Sequence, residues 1–136
     1  IYPAGNRTGR AFLFNVKARH TERNALYKRK EENPMKKTTL YIGLNDKDTK
    51  HQEIATLDAY KIAVNIFTTY TGGATISEAV GIYTHDNGET VTEKTLRCEV
   101  YSTNTEAIRT AANALKQAFN QESILIETVE TESAFI

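Results

Sequence analysis

The sequence is poor in the residues that support several common protein classes. It contains no tryptophan, one cysteine and two prolines among its 136 residues. The lone Cys98 cannot form an internal disulfide, which is typical of a protein from a reducing compartment. No stretch approaches the roughly 18 apolar residues of a membrane helix, and no signal-peptide pattern opens the chain. We therefore expect a cytoplasmic protein with no membrane partner.

The common catalytic and metal-binding motifs are also missing. There is no P-loop and no Gly-x-Gly-x-x-Gly pattern, and none of His20, His51 and His85 is paired at a metal-ligand spacing. Cys98 falls on the inward face of a predicted strand, which favours a core thiol over a nucleophile. We therefore expect a protein that is not an enzyme and that carries no catalytic residue, metal or cofactor.

The net charge of zero conceals a strong asymmetry. Residues 1–37 hold ten Lys/Arg against three Glu, a net charge of +7, and residues 38–136 carry −7. A basic arm beside an acidic body can bind an anion such as a phosphate or a nucleic acid. It can equally dock on its own body or on a neighbouring subunit, because apolar residues interrupt the basic run.

The boundary between the two parts is predicted at Asn33-Pro34, since proline disfavours helix before it and cannot continue one. Residues 1–34 are then a basic N-terminal extension with a short strand over 11–16 and a short helix over 21–30. Residues 35–136 form the folded domain.

The domain shows a regular alternation of strand and helix patterns. Period-two alternation predicts strands over 39–44, 74–85, 90–101 and 123–129, with Asn87-Gly88 as a hairpin turn. Thr56 is the predicted cap of a helix whose apolar positions are Leu57, Tyr60, Val64 and Phe67. Thr103-x-x-Glu106 is a capping box that opens a second helix. The order β-α-β-β-α-β predicts an α+β ferredoxin-like fold, a four-stranded antiparallel sheet with two helices on one face.

The sheet face without helices is the first candidate binding surface. The alternation places Tyr83 and His85 on it from the second strand, and Arg97 and Tyr101 from the third. Tyrosine rings can stack on a purine, and arginine can bind phosphate or carboxylate through two nitrogens. An uncovered aromatic sheet is also typical of a dimer interface. Both interpretations stay open, because ligand pockets often lie where subunits meet.

The second helix offers another candidate surface. Arg109, Asn113 and Lys116 are spaced four and three residues apart and share one helical face. One arginine, one lysine and one asparagine suit a pyrophosphate, although a solvated face is equally consistent with this pattern.

Three stretches carry a resemblance to a known family: residues 39–50 (TLYIGLNDKDTK), 81–85 (GIYTH) and 119–123 (FNQES). Together they resemble phage proteins of the first-described Thoeris anti-defence family, over about residues 36–136. The last stretch is also similar to a broader bacterial domain family of unknown function.

That resemblance implies a non-enzymatic "sponge" acting in the cytoplasm of the bacterial host. Such proteins bind a cyclic ADP-ribose isomer, and some bind cyclic oligonucleotides, at the junctions of homodimers or higher homo-oligomers, and they hold the ligand intact. No ligand residue is transferred from the family to this chain.

Two other functions remain to be weighed. Ferredoxin-like dimers include small cofactor-free monooxygenases and isomerases, by analogy of fold only. A nucleic-acid-binding module would use the sheet face and the basic arm, but its usual aromatic motif is missing and the acidic body opposes a phosphate backbone.

Overall fold

The computed structural model describes residues 34–136. Its elements follow one another in this order: β1 (Lys36–Gly43), α1 (Thr56–Tyr70), β2 (Thr75–Thr84), β3 (Thr90–Ser102), α2 (Thr105–Ala118) and β4 (Leu125–Glu130). The strand predicted over 11–16 and the helix predicted over 21–30 lie outside the described residues.

The four strands form one antiparallel sheet in the order β2-β3-β1-β4. Leu40 of β1 lies opposite Cys98 of β3 on one side and Ile126 of β4 on the other, which fixes the register of the three strands. The two helices pack against each other and against one face of this sheet. The ferredoxin-like α+β fold predicted from the sequence is therefore confirmed.

The hydrophobic core lies between the sheet and the helices. Its largest fully buried side chains include Leu40, Leu96, Phe67 and Leu115. Cys98 is also completely buried, and burial raises the pKa of its thiol to about 12. The prediction of a core thiol is confirmed, because a thiol that stays protonated at neutral pH is a poor nucleophile.

Helix α1 buries a different face from the one that was predicted. The exposed fractions of Leu57 and Tyr60 are 65% and 47%, and Val64 is also exposed, so of the predicted stripe only Phe67 is buried. The remaining core positions are occupied by the residues Ala59, Ala63 and Ile66. The two alanines let the helix lie close to its neighbours, while Leu57, Tyr60 and Val64 face away from the core.

Three local predictions are wrong in detail. Thr56 is the first residue of α1 and not its cap, since Ala55 occupies the N-cap position without a side-chain hydrogen bond. Asn104, and not Thr103, caps α2, since its side-chain oxygen accepts the Ala107 N–H at 3.0 Å. The hairpin turns where it was predicted, but only Gly88 has a positive φ, at 87°. The Gly88 N–H donates to the His85 carbonyl at 2.9 Å, and the His85 N–H donates to the Glu89 carbonyl, so the loop has three residues.

Candidate functional site

A groove lies beside the hairpin that joins β2 and β3. This hairpin extends beyond the end of β1, and the loop of residues 44–55 leaves β1 alongside it. The groove between them encloses about 900 Å³. Its lining includes the residues Asn45, Lys50, His51, Gln52, Tyr83 and His85, and also the acidic residues Asp86 and Glu89. We call it the hairpin groove.

The hairpin contributes two aromatic rings to this groove. The rings of Tyr83 and His85 meet edge to face, with centroids 5.1 Å apart and an angle of 85° between the ring planes. Alternation along β2 would place both on the same side of the strand, and the contact between them orients the Tyr83 ring. An oriented, half-exposed tyrosine next to an imidazole can stack on a planar base.

The opposite wall contributes two basic side chains, Lys50 and His51. Lys50 has a φ of 65°, a left-handed backbone conformation that residues other than glycine rarely adopt. The Asp46 carboxylate holds the preceding turn, because its Oδ1 accepts the N–H groups of Asp48 and Thr49 at 2.8 and 3.1 Å. The turn therefore positions a lysine and a histidine across the groove from the aromatic pair.

The end of α2 holds this wall in place. Asn120 has a φ of 47°, and its side-chain amide donates to the carboxylates of Asp46 and Asp48. The Gln121 amide donates to the Asn45 carbonyl at 2.7 Å. Two of the stretches that carried the family resemblance, residues 39–50 and 119–123, are therefore joined in space to support the hairpin groove.

Glu93 lies next to the groove on the sheet face turned away from the helices, which we call the second face. It is half-buried, and its Oε2 accepts the Asn45 N–H at 3.0 Å. A Cβ at Gly43 would lie 2.6 Å from the carboxylate carbon, so any other residue at 43 would force this carboxylate to move. Desolvation and then the charge of Glu93 raise the pKa of Tyr83, which keeps the phenol neutral.

The second face also carries Arg97, which is engaged with its neighbours. The Arg97 guanidinium donates to the Tyr41 hydroxyl, and its Nη2 lies 2.9 Å from the Glu99 carboxylate. Hydrogen bonding with Tyr41 and then the charge of Glu99 raise the pKa of Arg97. An anion that bound here would have to compete with Glu99.

The structure divides the seven predicted ligand residues among three places. Tyr83 and His85 line the hairpin groove, and Arg97 and Tyr101 lie farther along β3 on the second face. The remaining three are exposed on α2, in the helical layer on the other side of the sheet: Arg109, Asn113 and Lys116. They do not form one site together.

Sequence reasoning missed Lys50, His51, Asn45 and Glu93. No spacing rule points to the first three, because they lie in a loop whose course depends on Asn120. Glu93 left a weak signal, since the glycines at 43 and 81 flank it on the neighbouring strands. Within residues 34–136, no group of three or more His, Cys, Asp or Glu side chains could hold a metal ion. In the same region, no helix is long and apolar enough to cross a membrane.

Solved structures with a similar fold include two of a phage SAM lyase. The lyase in complex with S-methyl-5′-thioadenosine is 21% identical over 72% of this chain and 82% of that chain, with a TM-score of 0.57. Its apo state is 23% identical over 70% and 79% of the two chains, with a TM-score of 0.52. The divalent ion tolerance protein CutA1 from Ehrlichia chaffeensis is 16% identical over 76% and 86%, with a TM-score of 0.50.

At these identities the likeness shows the fold alone, although the folds compared include that of an enzyme. No curated protein matches the sequence. Residues 37–135 match a family described as "Protein of unknown function (DUF3574)", and the chain therefore belongs to the DUF3574 family.

Proposed function

We propose that this protein binds a small adenine nucleotide in the hairpin groove and holds it unaltered, as a phage anti-defence sponge for a cyclic ADP-ribose isomer. The observation that carries the proposal is the pairing of Tyr83 and His85 on one wall with Lys50 and His51 on the other. The first pair suits a purine, and the second pair suits phosphates.

The dimensions of the groove agree with such a ligand. Small-molecule sites usually enclose roughly 300–1,000 Å³, and this groove encloses about 900 Å³. It is open on one side, so one copy of the chain would leave much of a nucleotide exposed to water. A second copy placed over the opening would enclose the ligand and would strengthen each polar contact, because electrostatic interactions grow as water is excluded.

The apolar surface next to the groove supports an assembly of copies. Val80 and Ile82 lie on the edge strand β2 with 70% and 69% of their surface exposed. Tyr60 of α1 and Ile76 of β2 line a shallow groove beside them, so the apolar surface continues onto the helix. An edge strand with large exposed apolar residues is usually covered by a partner. We propose that a second copy of this chain covers β2, which places a subunit junction next to Tyr83.

The fold itself has been seen with an adenine nucleoside. The phage SAM lyase was solved in complex with S-methyl-5′-thioadenosine, which supports the idea that a sheet and two helices of this type can accommodate such a ligand. The same structure motivates a second candidate function. Glu93 lies close enough to Tyr83 to influence its pKa, and a carboxylate beside a neutral phenol could perform acid–base chemistry on a nucleoside.

One experiment separates these candidates. The protein is incubated with cyclic ADP-ribose isomers, or in parallel with SAM, then separated from free ligand and heated, and the released compounds are analysed by mass spectrometry. Release of the unaltered cyclic nucleotide supports sequestration. Absence of binding, or release of a cleaved product, contradicts it. Conversion of SAM to S-methyl-5′-thioadenosine would favour the enzyme.

A matched pair of variants locates the site. Tyr83→Ala removes the proposed stacking ring, and we expect it to reduce the amount of nucleotide retained at least tenfold. Tyr70→Ala removes a tyrosine of similar exposure from the end of α1, where it is not part of the hairpin groove (43% against 40% exposed). Equal losses in the two variants would contradict this placement of the ligand.

A further inference from the structure

We propose that Glu93 accepts hydrogen bonds from two adjacent hydroxyl groups of a ribose, so that the ligand must be a ribonucleotide with a free vicinal diol. This inference rests on the proposed function and deepens it, because it names the chemical group that the site selects. Glu93 was not among the residues predicted from the sequence.

The first observation is the position of the carboxylate. The Asn45 N–H donates to Glu93 Oε2 at 3.0 Å, and Asn45 itself lines the hairpin groove. A carboxylate offers about four lone-pair sites, and this bond uses one of them. Within the part of the chain that the structure describes, Glu93 Oε1 accepts no hydrogen bond. One oxygen is thus anchored to the groove wall, and the other is free to receive a donor.

The second observation is the glycine on either side of Glu93. Gly81 lies directly opposite Glu93 on β2, and Gly43 lies beneath its carboxylate on β1. A Cβ at Gly43 would overlap the carboxylate, and one at Gly81 would lie 2.9 Å from Thr95 Oγ1. The Glu93 carboxylate fills the space above Gly43, and the Thr95 hydroxyl fills the space beside Gly81. Because neither glycine has a side chain, neither position covers the carboxylate against a sugar ring that approaches over the second face.

The third observation is the electrostatic character of the surroundings. Among residues 34–136, Glu93 forms no ion pair and belongs to no cluster that could bind a metal. Tyr83, on the neighbouring strand, stays a neutral phenol and is itself a possible hydroxyl donor or acceptor. A half-buried carboxylate without a cation is best satisfied by neutral donors. The paired hydroxyls of ribose are such donors, and acidic side chains bind them in the same way in dinucleotide-binding proteins.

Binding of defined nucleotides tests this inference. Calorimetric titrations compare ADP, 2′-deoxy-ADP and 3′-deoxy-ADP on the full chain, with cyclic ADP-ribose isomers as reference ligands. We expect each deoxy compound to bind roughly tenfold or more weakly than ADP, since a lost hydrogen bond to a charged group is worth about one such factor. The affinity of Glu93→Gln for ADP should fall to the affinity of the wild type for the deoxy compounds.

The substitution is chosen to preserve the fold. The glutamine carbonyl can still accept the Asn45 N–H, so the melting temperature of Glu93→Gln should stay close to that of the wild type. Glu127→Gln is the control, because it makes the same charge change on the same sheet face but on β4. It should keep the full preference for ADP.

Failure of the diol inference can be distinguished from failure of the proposed nucleotide-binding function. If the wild type binds ADP and both deoxy compounds equally, or if Glu93→Gln keeps the preference for ADP, the diol inference is overturned and the nucleotide-binding function stands. If neither ADP nor any cyclic ADP-ribose isomer binds, both are overturned.

Discussion

The side-chain amide of Asn120 donates a hydrogen bond to the carboxylate of Asp46 at 3.0 Å, across 74 residues of sequence. The same amide donates to Asp48, and the Asn120 carbonyl accepts the Lys47 N–H, so three hydrogen bonds connect Asn120 to this loop. It joins the end of α2 to the loop that carries Lys50 and His51. The helical layer therefore determines where one wall of the hairpin groove lies.

This contact predicts a dependence of stability on acid pH. Hydrogen bonding with Asn120, and then with the N–H groups of Thr49 and Asp48, lowers the pKa of Asp46 from its usual value of 3.8. A group whose pKa is depressed in the folded state contributes stability above its unfolded pKa and loses it as pH falls through the folded pKa. We expect this part of the stability to be present at neutral pH and to disappear below pH 3.8.

Asn120→Gly removes the amide but tolerates the positive φ at this position. We expect a lower melting temperature at pH 7 and a smaller loss of stability on acidification than in the wild type, measured by thermal unfolding between about pH 2 and 7. Gln117→Gly, an exposed residue in the same helix end, is the control for a glycine near the C-terminus of α2. An unchanged pH profile in Asn120→Gly would show that the Asp46 contact does not contribute.

Replacing Lys50 should change the stability of the fold and the affinity for the nucleotide in opposite directions. Its φ of 65° is strained for lysine, and glycine would relieve that strain. We expect Lys50→Gly to keep or raise the melting temperature while it weakens nucleotide binding roughly tenfold, because a phosphate contact is lost. Lys47→Ala, in the same loop but outside the groove lining, should leave binding unchanged. If Lys50→Gly bound as tightly as the wild type, the phosphate would not lie against this wall.

Helix α1 gives a direct test of which face is buried. Phe67 is 1% exposed and Leu57 is 65% exposed, although the two were predicted on one apolar stripe. We expect Phe67→Ala to lower the free energy of unfolding by about 3–5 kcal/mol and Leu57→Ala by less than about 1 kcal/mol. Urea denaturation measures both. If the two variants lost a comparable free energy of unfolding, Leu57 would lie on the buried face together with Phe67, as the sequence pattern predicted.

The order of strands and helices was predicted well, and the alternation is clear on the core half of β3. Leu96, Cys98 and Val100 all occupy the face that the pattern assigned to the core. It failed on α1 because hydropathy favours large apolar residues. Ala59 and Ala63 contribute little to a hydrophobic pattern, yet both are completely buried. Where packing demands small side chains, the apolar stripe and the buried face need not coincide.

The candidate site was predicted only in part for a different reason. Tyr83 lies on β2 and His85 directly follows its last residue, so their common face follows from alternation. Lys50 and His51 lie in a loop whose position depends on the contact between Asp46 and Asn120, and no local rule connects residues that far apart in sequence. Arg97 was chosen for its charge, but the sequence could not reveal that Glu99 and Tyr41 already bind it.

The exposed edge strand predicts the surface that joins two copies. Burial of a Val or Ile side chain contributes roughly 1.5–3 kcal/mol, and a symmetric interface would include Val80 and Ile82 twice. We expect the double variant Val80→Lys, Ile82→Lys to weaken self-association roughly a hundredfold or more, measured by light scattering across a dilution series. Val129→Lys, which introduces the same charge at an exposed site on β4, is the control. A wild-type monomer, or equal effects of the two variants, would contradict a junction at β2.

The strand order has a consequence for how the protein is made. β1 is the first described strand to leave the ribosome, yet both of its partners, β3 and β4, are synthesised later, and β4 ends only at Glu130. The sheet around β1 therefore cannot be completed until the chain has been synthesised as far as the end of β4. Such long-range pairing slows folding and leaves the nascent chain prone to aggregation. We expect this domain to fold only after β4 has left the ribosome, with a need for chaperones that its small size would not suggest.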